Sequence, residues 1–243
     1  MAKQRADVLL VECGLAESRE KARALLLAGQ VRLGERVVDK PGVLLPEGAR
    51  LRVLAKAPYV GRGGVKLAHA LDVFRLDVSG MTALDVGAST GGFTDCLLQR
   101  GARKVYALDV GKGQIDYRLR TDPHVVVIEG VNARYPFALP EQADMATVDV
   151  SFISLTLVLP NVLAMVKPGG PVVALVKPQF EAERKQIQRG GLVKDPAIHA
   201  QVLGRIIIWV VEHGARLRGL TASPILGGDG NREFFIHVET TKD

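Results

Sequence analysis

Two acids bracket a glycine-rich stretch in "DVGASTGGFTD", residues 85–95. Ahead of it runs an apolar segment (Met81, Ala83, Leu84, Val86), and after it comes an apolar, helix-compatible one. Glycine inside an element costs roughly 0.5–1 kcal/mol relative to alanine. Gly87, Gly91 and Gly92 therefore point to a strand, a tight turn and a helix start, where a ligand approaches the backbone. The spacing matches neither the G-x-G-x-x-G dinucleotide fingerprint nor the P-loop, which needs a lysine after its last glycine. Asp85 would repel a pyrophosphate but suits a ligand with positive charge. A second apolar run, in "ARKVYALDVGKGQ", ends in Asp109, an acid placed to accept hydrogen bonds from ribose hydroxyls. A ligand that joins a ribose to an ammonium and a sulfonium is S-adenosylmethionine, so this constellation reads as a methyl-donor site.

Four further polar residues interrupt apolar patterns: Lys66 in "GRGGVKLAHAL", Asp149 in "TVDVSFISL", Lys177 in "ALVKPQFE" and Glu233 in "GDGNREFFIHV". Each alone has an ordinary reading as an exposed helix charge, a solvated loop or a strand edge. Asp149 and Lys177, however, close two strand-like runs, and the carboxyl edge of an open α/β sheet is where ligands bind.

The elements that must position these residues follow from the pattern. From residue 64 onward a helix over 64–75 (Leu67, Leu71 and Phe74 on one face) precedes strands near 82–86, 104–109, 124–128, 144–150 and 171–176, with helical stretches between them. Strands alternating with helices predict a doubly wound α/β fold with a mostly parallel sheet. The tail differs: a helix over 196–212, then "ARLRGLTA" and "EFFIHVE" as a terminal antiparallel strand pair around the glycine-rich "SPILGGDGN". Residues 1–57 read as a separate α+β module. Two short helices, 5–13 and 18–28, are followed by Gly14 and Gly29, with Ser18 as N-cap, and small strands come after them. Residues 58–63 form a linker, and residues 64–243 form the second domain.

At 47% hydrophobic and 24% charged over 243 residues, the chain has an ordinary globular composition. Acids in "MAKQRADVLLVECG" interrupt any signal-peptide core, and no apolar run approaches the roughly 20 residues of a membrane span. A cytoplasmic protein without membrane contact is expected. Cys13, Cys96 and five scattered histidines give no metal-ligand spacing, so no metal is expected. Charge is uneven. Residues 1–60 hold 11 Lys and Arg against 7 Asp and Glu, the remainder 21 against 19. A basic excess on a small module suits a phosphate backbone.

"RADVLLVECGLAESREKARALLLAGQVRLGERVVDKPG" resembles the S4-type RNA-binding domain, with its early Arg, its "GLAESREKA" turn and helix, and a short strand after it. That resemblance implies RNA contacts at Arg5, Ser18, Arg19, Lys21 and Arg23, and a small core around Leu9, Leu10, Leu25 and Leu26. Together with "RGGVKL", "DVGASTGGFTD", "DVSFISL", "LVKPQFE" and "GNREF", the chain resembles the TlyA (hemolysin A) family of ribosomal RNA 2′-O-methyltransferases over nearly its whole length. The resemblance implies a Rossmann-like, FtsJ-type methyltransferase domain, S-adenosylmethionine as donor, and a cytidine ribose in ribosomal RNA or ribosomal subunits as acceptor. It also implies a catalytic K-D-K-E set, carried here by Lys66, Asp149, Lys177 and Glu233. Expected donor contacts are Asp85, Gly87, Ser89, Gly91, Gly92, Phe93, Asp109 and Asn132, and Arg62 is a further RNA contact. No protein partner is expected.

The chemistry suits that set. A ribose hydroxyl is a poor nucleophile whose proton must leave as the methyl arrives. A lysine takes it only when neutral, and burial with a neighbouring cation favours the neutral form. Lys177 is the expected base and Lys66 the cationic neighbour, held by Asp149 and Glu233. Two other readings compete. One is base methylation, for which Asp149-Val-Ser-Phe152 lacks the prolines of amino methyltransferases and Cys96 is the cysteine nucleophile to weigh. The other is a non-catalytic RNA-binding or ribosome-assembly factor on a methyltransferase fold.

Overall fold

The computed structural model describes residues 3–27, 30–34, 36–53, 58–228 and 230–241, so the expected helix stop at Gly29 lies outside the described residues. The chain divides into two compact units, Met1–Ala57 and Pro58–Asp243.

In the first unit, β1 (Lys3–Arg5) leads directly into α1 (Ala6–Glu12), and Ser18 Oγ accepts from Lys21 N at 3.2 Å at the start of α2 (Arg19–Leu27). The strands β2 (Val31–Leu33), β3 (Arg36–Val37), β4 (Leu44–Pro46) and β5 (Leu51–Val53) follow. They form a three-stranded sheet ordered β3-β2-β5 and an antiparallel pair β1-β4. Leu9, Leu10, Leu26 and Val31 fill the core, and Leu25 packs half-buried against it. Asp7, fully buried, accepts from Arg5 Nε and Nη2 at 2.9 and 3.0 Å and from Arg19 Nη2 at 3.1 Å. These hydrogen bonds to the arginines hold its carboxyl down at about 2.

The second unit opens with α3 (Arg62–Phe74), then β6 (Thr82–Val86), α4 (Gly92–Gln99), β7 (Lys104–Asp109), α5 (Tyr117–Arg120), β8 (Val125–Glu129) and β9 (Met145–Val148). It continues with α6 (Leu159–Ala164), β10 (Pro171–Val176), α7 (Pro178–Glu181), α8 (Pro196–Glu212), β11 (Ala215–Ala222) and β12 (Phe234–Thr240). One seven-stranded sheet runs β11-β12-β10-β9-β6-β7-β8. The strands from β10 to β8 are parallel, and β12 inserts antiparallel between β10 and β11. The fold is the Rossmann-like arrangement with a terminal antiparallel pair.

Side-chain alternation along the strands separates two cores. Leu84, Val86, Tyr106 and Leu108 join residues of α6 and α8 on one face. Ala83, Val105 and Phe235 join Leu67 and Leu71 of α3 and Phe93 and Leu97 of α4 on the other. Helix α3 begins at Arg62, two residues earlier than the apolar spacing predicts. The added residues pack closely on α4, since a Cβ on Gly63 would lie 3.2 Å from the Phe93 ring.

Candidate active site

Every strand of the parallel set delivers its next residue to one edge. After Val86, Gly87 turns with φ +84, and a Cβ there would run into the carbonyl of Asp149. That contact explains the glycine: Val86 pairs with Val148, so the residues just past the two strands meet. Gly91 (φ +95) caps α4, where a side chain would strike Leu119. Gly92 is pressed against Gly63 and Gly64 of α3. Packing within the protein, not room for a ligand, thus accounts for Gly91 and Gly92.

A cleft of about 740 Å³ opens at this edge. Gly87, Ser89, Asp109 and Asn132 line it, as expected. Asp109 is fixed by two backbone donors, Ser89 N to Oδ2 at 2.8 Å and Gly111 N to Oδ1 at 2.7 Å. Asn132 Oδ1 accepts from Arg134 N at 3.0 Å. Val110, Val131 and Ala133 add apolar wall that the sequence reading did not single out.

Four of the expected donor contacts are not part of the lining: Asp85, Gly91, Gly92 and Phe93. Phe93 is core, its ring 6.1 Å from that of Phe235. Asp85 is 0% exposed. Its oxygens take the hydroxyls of Thr94 (2.7 Å) and Thr147 (3.0 Å), and burial pushes its carboxyl up to about 6. Asp85 braces the sheet beneath the glycine turn. A direct contact with the donor's positive charge, expected from its place in the motif, is not what this geometry provides. The reason is strand alternation: Asp85 shares the face of Ala83, against α4, and Thr147 on β9 closes it off.

The four catalytic candidates form two ion pairs. Lys66, in the second turn of α3 and 8% exposed, places Nζ 2.5 Å from Glu233 Oε2, and Glu233 is itself 2% exposed. Lys177 Nζ lies 2.6 Å from Asp149 Oδ1 and donates to Ser151 Oγ at 2.9 Å. The first approach is an ion pair without hydrogen-bond alignment, since Asp149 Oδ1 has no aligned donor. Val176 pairs with Phe234 across β10 and β12, which sets Lys177 and Glu233 one step beyond the same rung of the sheet. The two pairs are therefore neighbours at the carboxyl edge. Of the four residues, Asp149 alone also lines the cleft.

Two further residues, Phe152 and Glu181, shape this edge. Phe152 holds φ +62, a conformation that costs a bulky residue energy, and stands 89% exposed at the cleft with its ring 4.8 Å from Phe180. Lys177 Nζ is 5.9 Å from the Phe180 ring centre. Glu181 clamps the loop that carries Phe152: Oε2 accepts from Ser154 Oγ and Oε1 from Leu155 N, each at 2.7 Å. Burial raises the Glu181 carboxyl above its ordinary range despite those donors.

Cys96 is sealed in the α3–α4 core, and burial pushes its thiol up to about 12, the opposite of an activated nucleophile. Of the expected RNA contacts, Arg5 and Arg19 are engaged with Asp7, Lys21 with Glu17, and Ser18 with the cap of α2, while Arg23 is exposed. Arg62 is exposed and donates to the Leu226 carbonyl at 2.7 Å.

Two lysine–carboxylate pairs thus stand at the edge of a cleft that Asp109 also lines, and comparison with known proteins shows the family. The FtsJ-like methyltransferase model matches residues 59–240, and the S4 domain model matches residues 4–51. The 16S/23S rRNA (cytidine-2′-O)-methyltransferase TlyA of Mycobacterium tuberculosis is 42% identical over 243 residues, covering 98% of this chain and 91% of that protein. The chain belongs to the TlyA (hemolysin A) family. Another relative, YqxC of Bacillus subtilis, provisionally named an rRNA methyltransferase, is 48% identical over 97% of this chain and 85% of its own length. A solved structure from Streptococcus thermophilus, whose name carries the word hemolysin, superposes with a TM-score of 0.76 at 46% identity, covering all of this chain and 90% of that one. Among the described residues, no helix is long and apolar enough to cross a membrane.

Proposed function

We propose that this protein transfers a methyl group from S-adenosylmethionine to the 2′-hydroxyl of a cytidine ribose in ribosomal RNA. The observation that carries the reading is the Lys177–Asp149 pair set beside the buried Lys66–Glu233 pair at the edge of the cleft. Base methylation by amine or carbon chemistry has no use for two such lysines, and Cys96 is unreachable for the latter.

The residues present fit the donor. Asp109, held by two amides, keeps lone pairs facing the cleft for ribose hydroxyls, and Val110, Val131 and Ala133 offer an apolar wall for a purine. When bound, S-adenosylmethionine supplies an electrophilic methyl on a sulfonium that is already a good leaving group. The chain's own task is then to align the acceptor oxygen and remove its proton. Lys177 is the base, steadied by Asp149 and by the Ser151 hydroxyl. Lys66, held by Glu233, adds fixed positive charge that favours the developing alkoxide. Phe152, exposed on Phe180, offers a face for the acceptor base. Residues 1–57 serve as the S4-type RNA anchor and residues 58–243 as the catalytic domain, the expected linker 58–63 being taken up by it because Arg62 and Gly63 already belong to α3. Arg23 and the outward parts of Arg5, Arg19 and Lys21 supply its positive surface.

Lys177→Arg tests the assignment. Arginine keeps the charge but cannot deprotonate in proteins, so donor and RNA should bind nearly normally while turnover falls at least ~10²-fold. The wild-type product should resist alkaline cleavage at one phosphodiester. Full turnover in the arginine variant, or a methylated base on digestion and mass spectrometry, overturns the reading.

A further inference from the structure

The loop that delivers Glu233 also builds a second cavity. Asn231, 1% exposed, ties this loop to the segment behind one wall: Oδ1 accepts from Val193 N at 2.9 Å, and Nδ2 donates to the Gly191 carbonyl at 2.9 Å. The Val193 carbonyl lies 2.8 Å from His199 Nε2, and the His199 ring meets Phe234 edge-on at 5.4 Å. Arg62 holds the opposite wall through the Leu226 carbonyl. None of these bonds serves the reaction directly. Together they hold open a space of about 540 Å³ walled by Leu203, Leu226, His199 and Phe234, with exposed Lys194 and Arg232 completing it.

Three features narrow the occupant. The space has the size of a small-molecule or nucleotide site, and hydrogen bonds, two of them buried, hold the segments around it. Its charged residues, among those described, are both cations, and neither has an ion-pair partner among the described residues. Its position is set by the sheet. Arg232 and Phe234 flank Glu233 in sequence, and Phe234 pairs with Val176, the residue before Lys177. An apolar and aromatic wall beside two exposed cations is the combination that takes a base and its phosphate.

We propose that this cavity receives a nucleotide of the substrate RNA adjoining the methylated one, its base against Phe234, Leu203 and Leu226 and its phosphate on Lys194 and Arg232. The inference rests on the RNA ribose methylation proposed above. It gives the loop 226–233 two tasks, supplying Glu233 and fixing the strand on which the target ribose lies.

The test uses the full-length protein with ribosomal subunits. It compares Lys194→Ala/Arg232→Ala, the cavity-filling Ala200→Trp, and Arg216→Ala, an exposed cation on β11, as control. Donor affinity, measured by calorimetry, should be unchanged in all three and certifies folding. The double variant should raise KM for RNA at least tenfold with kcat within twofold. Its plot of log affinity against log salt should be shallower by about 1 to 2, as contacts to one or two phosphates are lost. Ala200→Trp should raise KM comparably with an unchanged salt slope, and Arg216→Ala should behave as wild type. If Ala200→Trp methylates RNA with a wild-type KM, or the double variant matches the control, nothing enters the cavity and the proposal falls while ribose methylation stands. A wild type that leaves the 2′-oxygen unmodified overturns both.

Discussion

Replacing Asp85 with asparagine removes a carboxylate from the centre of the sheet, and the cost of that carboxylate can be worked out. It is 0% exposed, and the side chains that donate to it are neutral hydroxyls, with no cation beside it to offset burial. Burial pushes its carboxyl up to about 6 in the folded protein, against 3.8 for an ordinary aspartate. A gap of about two units, at ~1.36 kcal/mol each, amounts to ~3 kcal/mol of native-state penalty once the group is ionised. The sign follows from linkage. Between pH 4 and 6 the folded state binds the proton that the unfolded state has lost, so stability falls as pH rises through that window and levels off above it. Asparagine has no such slope. The stability of Asp85→Asn relative to wild type should therefore improve by ~3 kcal/mol between pH 4 and pH 7. Trp209, the chain's single tryptophan, packs against the sheet from α8, so its fluorescence in urea titrations follows this unit alone. Donor affinity should stay within about threefold, since the carboxylate does not line the cleft; each factor of ten would need ~1.4 kcal/mol of direct contact. A stability difference that is constant across pH would refute the burial argument. A tenfold loss of donor affinity would put Asp85 in contact with the ligand after all.

Glu181→Ala leaves the Leu155 amide and Ser154 hydroxyl without their acceptor, so it should destabilise the second unit by ~1–3 kcal/mol in the same urea assay. It should also raise KM for RNA by freeing Phe152, while Glu181→Gln, which keeps an acceptor for Leu155 N, should recover most of both. Equal effects from alanine and glutamine would remove the clamp from the account. Gly87→Ala forces a side chain into a left-handed turn and against the Asp149 carbonyl, and should cost at least ~2 kcal/mol from strain and overlap. A variant with unchanged unfolding midpoint and activity would show that the turn has room.

The parts of this molecule written in the sequence are those governed by local pattern. The apolar runs 82–86, 104–109 and 171–176 coincide with β6, β7 and β10 because both ends of each carry polar or turn residues. The fourth strand is shorter than its apolar run, ending at Val148, because Asp149 and Val150 leave the ladder to line the cleft. Lys177 and Asp149 stood out by position, since each closes a strand-like run at the carboxyl edge of the sheet, where ligands bind. What local pattern could not supply was depth. Asp85 and Asp109 look alike as strand-end acids. Only Thr147, 62 residues away, and the packing of α4 make one a buried brace and leave the other at the cleft. The same holds for Glu181 and for the left-handed backbone of Phe152, which depend on bonds between segments more than 25 residues apart.

Lys66 and Glu233 are separated by 167 positions along the chain. Their pairing is among the last events available to a polypeptide made from its N-terminus. Everything from α3 to α8 can be synthesised while Lys66 still lacks its counter-charge, because Glu233 arrives with β12, the strand that must slide between two neighbours already present. Such long-range closure is slow compared with local folding. A chain interrupted before residue 233 would hold the donor-side cleft, yet its half-assembled edge would carry a buried lysine without its acid. With the roles proposed for Lys66 and Glu233, competence to modify RNA is tied to completion of the polypeptide, and a truncated product would lack turnover however well it grips its substrate.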